Sequence, residues 1–251
     1  MTEQLNEGQQ RIVDILQKTH IHFCTPCYGG QILEGCFSSY LRFSILATKY
    51  GIPFSVDTLI NESLVSRARN SLVAKFLANP NATHLMFVDA DITFTPDDIL
   101  RLVLHQKSIV CGAYPMKTTP IKYVMNIIED AAHEDPLYEV NTSGTGFMLI
   151  KREVIENMIE KMPELKYKDS VGLGEQYEPY MYALFDTMID EYQHYLSEDW
   201  TFCKRAREVC NTRVWVDTQI KLDHNGYYKF QGDTDEIKKL LATGNNAEEN
   251  T

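Results

Sequence analysis

The sequence predicts an α/β fold in a single domain, a mixed and mostly parallel sheet flanked by helices. Three observations predict it. From His20 to Tyr114 short apolar runs alternate with helix-length segments, and that alternation implies right-handed crossovers between parallel strands. Glycine and proline punctuate the joints, at Gly29-Gly30, Gly51, Pro53, Pro80 and Pro96. One run, Leu85 to Val88, is apolar at every position, as a strand covered on both faces must be, and it ends abruptly in Asp89-Ala90-Asp91.

Taken in order, residues 3–19 read as an amphipathic helix, with Leu5, Ile12, Ile15 and Leu16 near helical spacing. His20 to Thr25 reads as a strand running into the breaker-rich loop Cys24-Thr25-Pro26-Cys27-Tyr28-Gly29-Gly30. Glu34 to Tyr50 is a helix closed by Gly51, Pro53 to Asp57 a strand, and Glu62 to Ala78 a helix stopped by Asn79-Pro80. After the Leu85–Val88 strand, Thr95-Pro96 opens a helix over Asp97–Gln106, with proline in the first turn. Ser108–Tyr114 is a further strand. Beyond Pro115 the pattern changes: Ile121–Ile128 and Leu137–Val140 read as strands with no helix between them. Thr142-Ser143-Gly144-Thr145-Gly146 leads into the apolar run Phe147–Ile150 and a helix over 152–162. Residues 163–197 are irregular and rich in tyrosine, among them Tyr167, Tyr180 and Tyr195, and long irregular stretches in compact domains often carry function. Ser197 is placed to cap a helix running to Val209, with Glu198-Asp199-Trp200 in its first turn. Val214–Val216 and Gln219–Leu222 read as short strands, followed by Asp223-His224-Asn225-Gly226 and a helix over 234–241. The polar tail, 243–251, is expected to be disordered. Residues 20–242 are thus read as the domain proper.

The 251 residues are 44% hydrophobic and 24% charged, with net charge −11 and a pI of about 5.1. This balance disfavours a polyanion as the general partner. The polar start Met1-Thr2-Glu3-Gln4-Leu5-Asn6-Glu7 lacks the apolar core of a signal peptide, and no run approaches membrane-spanning length. The expectation is a cytoplasmic protein, with its six cysteines as reduced thiols.

The aspartate pair sets the chemistry. Two carboxylates on one face of a strand end repel unless a cation sits between them or one takes a proton. Hard oxygen ligands suit Mg²⁺ or Mn²⁺, which in turn bind phosphate oxygens. Open α/β sheets bind ligands at the carboxyl ends of their strands, where this pair lies. A metal–phosphate site is therefore expected; the plainer alternative is one helix-capping aspartate and one solvated aspartate.

Four features, in this order, resemble the GT-A (Rossmann-like) fold of glycosyltransferases over residues 20–230, and most of all the family-2-like nucleotide-sugar transferases. They are the first-strand loop with Thr25-Pro26 and Tyr28, the pair Asp89 and Asp91, the glycine loop Gly144-Thr145-Gly146, and Glu198-Asp199 with a later His224. The chain is also similar to small glycosyltransferases of large bacterial viruses, which would place it in the host cytoplasm. The resemblance implies Mn²⁺ or Mg²⁺ held by Asp89, Asp91 and His224, with Asp91 the direct ligand. It implies a donor nucleotide near Thr25, Pro26, Tyr28, Asp57, Arg67, Asn70 and Ala90. Gly144, Thr145, Gly146, Trp200 and Tyr180 would flank the donor sugar and acceptor, Asp199 would be the catalytic base of an inverting reaction, and Glu198 would touch the acceptor. The partners implied are a nucleotide-sugar donor and a hydroxyl acceptor: a glycan, a lipid-linked sugar, a protein or a modified DNA base.

The chemistry suits those residue types. A nucleotide sugar expels a diphosphate, whose building charge a divalent cation stabilises. The acceptor hydroxyl needs a carboxylate to take its proton, and the charge of Asp199 at a helix N-terminus is expected to be favoured by the helix dipole. Arg67 and Arg69 lie on different faces of their helix, so at most one faces the nucleotide; a solvated arginine paired with Glu62 is the equal alternative. Two other functions compete. Asp89-Ala90-Asp91-Ile92-Thr93 also fits the haloacid-dehalogenase phosphatase signature, with Asp89 as nucleophile, although two βα units precede it here. A non-catalytic sugar-binding module is the other. Cys24 and Cys27 have dithiol spacing but are read as a buried strand residue and a loop residue.

Overall fold

A computed structural model describes residues 6–243 apart from Tyr227 and Lys229. The chain runs α1 (Glu7–Lys18), β1 (Ile21–Cys27), α2 (Glu34–Tyr50), β2 (Phe54–Ile60), α3 (Val65–Ala78), β3 (His84–Val88), β4 (Ile92–Thr93), α4 (Pro96–Leu104) and β5 (Ile109–Gly112). It continues through β6 (Met125–Ile127), β7 (His133–Glu134), β8 (Leu137–Ser143), β9 (Phe147–Lys151), α5 (Arg152–Lys161), β10 (Met188–Ile189), β11 (Tyr195–Leu196), α6 (Glu198–Glu208), β12 (Val214–Asp217), β13 (Asp223–His224), β14 (Phe230–Gln231) and α7 (Thr234–Thr243).

The main sheet has the order β2-β1-β3-β9-β5-β12-β8-β6, with β7 paired to β8. Only β8 and β9 run against the other strands. The fold is therefore α/β with a mixed, mostly parallel sheet between helices, as the sequence predicts. Strand β3 shows why its run had to be wholly apolar. Leu85 and Phe87 enter the core beneath α3, α5 and α6, whereas Met86 and Val88 enter the core beneath α1, α2 and α4. Burying one such side chain on each face contributes roughly 1.5–3 kcal/mol relative to exposure.

The order in which strands are added reverses at β1, which pairs with β2 on one side and β3 on the other, both parallel. The carboxyl ends of these three strands form the topological switch point where such sheets take ligands.

Several element boundaries differ from expectation for identifiable reasons. Strand β1 continues to Cys27, so Thr25 still alternates into the core and Cys27 belongs to the strand rather than a loop. Cys24 and Cys27, an odd number of residues apart in a strand, point to opposite faces, and all six cysteines are free thiols. Helix α3 starts at Val65, because the Glu62 carboxylate accepts from Leu64 N and from Arg67 and holds 62–64 as a turn. Strand β8 runs on to Ser143, paired with Met125 of β6. Residues 219–222 are not a strand: Asp217 Oδ1 accepts from Gln219 N, and its carbonyl from Ile220 N, closing a turn. Ser197 stands at the N-cap of α6 but donates its hydroxyl to Asp199 rather than capping the helix. Residues 3–5 of the first predicted helix, and residues 244–251 of the expected disordered tail, lie outside the described residues. No described helix is long and apolar enough to cross a membrane.

Candidate functional site

A cleft of about 380 Å³ opens at the switch point, bordered by Pro26, Tyr28, Glu62, Asp89, Ala90 and Asp91 among others. Pro26, Tyr28 and Ala90, which the sequence assigns to a nucleotide, all border this cleft. The aspartates do not share a face. Strand β3 ends at Val88, and Ile92 N donates to Asp89 O at 3.1 Å, so residues 89–92 form a turn and strand alternation stops. Asp89 keeps the β3 alternation and turns to α3; Asp91 is thrown across to β13.

Each carboxylate meets a different cation of the chain. Asp91 Oδ2 takes Lys117 Nζ at 2.5 Å and faces His224 Nε2 at 3.4 Å. His224 is aimed by its other nitrogen: Nδ1 lies 2.8 Å from Pro115 O. A carbonyl can only accept, so Nδ1 carries a hydrogen and Nε2 is the nitrogen presented to Asp91. Strands β4 and β13 pair at Ile92 and His224, and Asn225 secures the register by donating N and Nδ2 to Asp91 O at 2.8 and 3.0 Å. Burial pushes the Asp91 carboxyl up, but the bonds from His224 and Lys117 outweigh it and its pKa lies below the usual value. A carboxylate oxygen and an imidazole nitrogen brought to one point suit a divalent cation, and the carbonyl on Nδ1 is the support that metal-binding histidines use. The predicted set of three is not assembled, however. Asp89 is engaged elsewhere, and among the described residues no three His, Cys, Asp or Glu side chains gather as a cation site.

Asp89 is held by Arg69. The guanidinium is 4% exposed and lies over the Phe87 ring at 5.3 Å. Its Nη2 donates to both Asp89 oxygens at 3.1 and 3.3 Å, and its Nε to Glu198 Oε1 at 3.2 Å. Burial opposes the charge, and the two carboxylates more than restore it. Arg69 therefore ties the turn after β3 to the first turn of α6, and its Nη1 is buried without a hydrogen-bond partner. Beside it, Asp199 Oδ1 accepts from Ser197 Oγ and from Trp200 N, the latter at 2.8 Å. Burial and the neighbouring Glu198 charge raise the Asp199 pKa above its usual value. The sequence expects the helix N-terminus to favour the charged form; burial and the Glu198 charge oppose it and outweigh the bonds from Ser197 and Trp200.

The glycine loop closes the site. Asp89 N donates to Gly146 O at 2.9 Å and Gly146 N to the Tyr114 hydroxyl at 3.1 Å. A Cβ on Gly146 would lie 2.7 Å from Tyr114 and 2.9 Å from Asp89 Oδ2. Gly146→Ala should therefore displace the Tyr114 ring and destabilise by about 1–3 kcal/mol, as overpacking does. An unchanged thermal midpoint would show that the approach is not tight. Thr145 is buried, its hydroxyl unpartnered.

Other expected site residues are committed elsewhere. Thr25 Oγ1 bonds Tyr40 at 2.6 Å inside the core. Asp57 sits mid-strand opposite Cys24, paired with Lys75 at 2.9 Å and His22 at 3.1 Å, away from the cleft. Asn70 clamps the backbone of Phe185 with both amide atoms, at 2.7 and 2.9 Å. Arg67 pairs with Glu62 at 2.6 Å, the alternative the sequence leaves open. Tyr180 packs on the core; Trp200 is half-buried in the first turn of α6. Sequence reasoning missed Tyr114, Lys117 and Asn225, and weighed Arg69 only as one of two arginines that could contact the nucleotide. Only Arg69 carries a signal: it shares a face of α3 with Leu72, Val73 and Phe76, and an arginine on an apolar face requires buried carboxylates.

No protein-family model matches the chain, and no curated protein matches its sequence. Among solved structures it is similar to A197 from STIV, with 17% identity, TM-score 0.49, and coverage of 86% of this chain and 95% of that one. It is similar to a UDP-glucose pyrophosphorylase complexed with UDP-glucose, with 8% identity, TM-score 0.43, and coverage of 90% and 97%. It is also similar to a glycosyltransferase involved in glycosylation of the PBCV-1 major capsid, with 10% identity, TM-score 0.35, and coverage of 89% and 98%.

Proposed function

We propose that the protein is a nucleotide-sugar-dependent glycosyltransferase that moves a sugar from a nucleoside-diphosphate donor to an acceptor hydroxyl, with inversion. One observation carries this reading. An aimed carboxylate–imidazole pair, Asp91 and His224, and a buried carboxyl of raised pKa, Asp199, flank the Arg69 bridge at the switch point of the sheet. The first suits a diphosphate with its cation and the second a general base.

Asp91 and His224 would hold Mn²⁺ or Mg²⁺, which when bound supplies positive charge to the departing diphosphate. Pro26, Tyr28 and Ala90 form the wall for the nucleotide. Asp199 takes the acceptor proton on Oδ2, since Oδ1 is occupied by Ser197 and Trp200. Raised basicity suits that step, because a base with a pKa nearer the working pH has more driving force for proton transfer. Arg69 keeps Glu198 and Asp89 neutralised beside it. The phosphatase alternative needs Asp89 as a nucleophile, and the engagement of both its oxygens by Arg69 weighs against that.

A thermal-shift screen of nucleoside diphosphates and nucleotide sugars, with and without Mn²⁺, tests the reading. A ligand that binds only the native state raises the midpoint by mass action, so the best nucleotide names the donor base. Asp91→Asn should abolish the Mn²⁺-dependent shift while leaving the unliganded midpoint within a few degrees. A variant that binds the nucleotide as wild type does, by calorimetry, would show that Asp91 is misassigned.

A further inference from the structure

The aspartates of the turn after β3 are each neutralised by the chain, but the two cations differ in how readily they can leave. Arg69 is sealed under Phe87 and Glu198 and cannot move without opening the core. Lys117 is 38% exposed and reaches Asp91 from a surface loop. That loop is tied at its base, where Pro115 bridges Tyr123 and Met116 N donates to Lys122 O at 2.6 Å. The lysine stem crosses Gly226, whose absent Cβ would lie 3.4 Å from Cδ and 3.5 Å from Cε. Lys117 and His224 both address the same oxygen, Asp91 Oδ2. A divalent ion bound to that oxygen at about 2.0–2.2 Å would stand against an ammonium already on it, and like charges at such range repel strongly.

We propose that Lys117 is a displaceable internal counter-ion: it holds Asp91 in the ligand-free protein, yields that oxygen to the divalent cation, and then binds the diphosphate the cation brings. The proposal rests on the cation-site reading above and adds a residue to it. It makes Lys117 a competitor of the bare metal and an ally of the metal–diphosphate complex. Removing it must therefore shift the two affinities in opposite directions, whereas a merely structural lysine would shift both the same way or neither.

The test is calorimetric titration of wild type, Lys117→Met, Lys117→Arg and Asp91→Asn with two probes, Mn²⁺ alone and inorganic pyrophosphate preloaded with Mn²⁺. Lys117→Met should bind Mn²⁺ roughly two- to tenfold more tightly and Mn²⁺-pyrophosphate more weakly by a similar factor, the scale of one partly exposed ion pair. Lys117→Arg, which keeps the charge, should restore both constants towards wild type. If Lys117→Met leaves both affinities unchanged, or moves both the same way, while Asp91→Asn still abolishes Mn²⁺ binding, the proposal falls and the cation site stands. If neither wild type nor Lys117→Met binds Mn²⁺ with either probe, both fall.

Discussion

Replacing Arg69 with methionine should lower the stability of the protein by about 3 kcal/mol, the lower end of the range for removing one partner of a buried ion pair. The lower end applies because Asp89 retains 28% side-chain exposure and water can take up part of its charge. Glu198 cannot be relieved in that way, being 13% exposed. Methionine keeps most of the arginine stem's volume above Phe87, so the loss is one of charge and hydrogen bonds rather than packing. For a chain of this size the midpoint should fall by roughly 6–12 °C. The control is the triple variant Arg69→Met, Asp89→Asn, Glu198→Gln. If uncompensated charge is the cause, neutralising the two carboxylates should recover much of the loss, because a buried ionic cluster can often be replaced without cost while one of its members cannot. A triple variant as unstable as the single one would mean that the guanidinium serves a packing or backbone role.

Arg69 also marks the limit of what the sequence discloses. The alternation of elements from β1 to β5 is legible because Gly51, Pro53, Pro80 and Pro96 sit at physically necessary breaks; Gly51, for example, closes α2 in the left-handed conformation at φ 66°. The two-sided burial of β3 is legible from four consecutive apolar residues. The antiparallel insertion of β9 between β3 and β5 is not, since a short apolar run carries no information about direction. In the site, the approach of His224 to Asp91 is one that only the family resemblance implies. The divergence of Asp89 from Asp91 is not legible, because one turn hydrogen bond decides it. The engagement of Asp57 and Asn70 within the fold is not legible, because their partners, Lys75, His22 and the Phe185 backbone, come from distant or unpatterned parts of the chain. Lys117 lies in a loop with no pattern, and only the fold brings it to Asp91.

Asp199→Asn should slow sugar transfer by about 10²–10⁴-fold, the usual contribution of a general base, while stabilising the fold at neutral pH. The substitution keeps an oxygen to accept from Ser197 Oγ and Trp200 N, so the helix start is preserved. Donor affinity should be nearly unchanged, because the cleft and the Asp91–His224 pair are untouched. The stability gain follows from linkage. Burial and Glu198 raise the folded-state pKa of Asp199 above its unfolded value, so the folded chain binds the proton more tightly. The stability this group contributes is full below the unfolded value, near 3.9, and is lost as pH rises through the folded value. At pH 7 the ionised, desolvated carboxylate is then a cost that asparagine does not carry. The midpoint difference between Asp199→Asn and wild type should therefore favour the variant at pH 7 and shrink as pH falls towards the unfolded value. The same shift moves the acid limb of the wild-type transfer rate to higher pH than an unperturbed carboxylate would give. Transfer rate, donor dissociation constant and thermal midpoint, measured across pH for both proteins, separate the roles. Wild-type transfer by the variant would exclude Asp199 as the base; a rate loss that appears only through donor binding would assign it to the nucleotide site. A variant less stable than wild type at pH 7 would show that the Asp199 charge is compensated in the fold, against the desolvation argument.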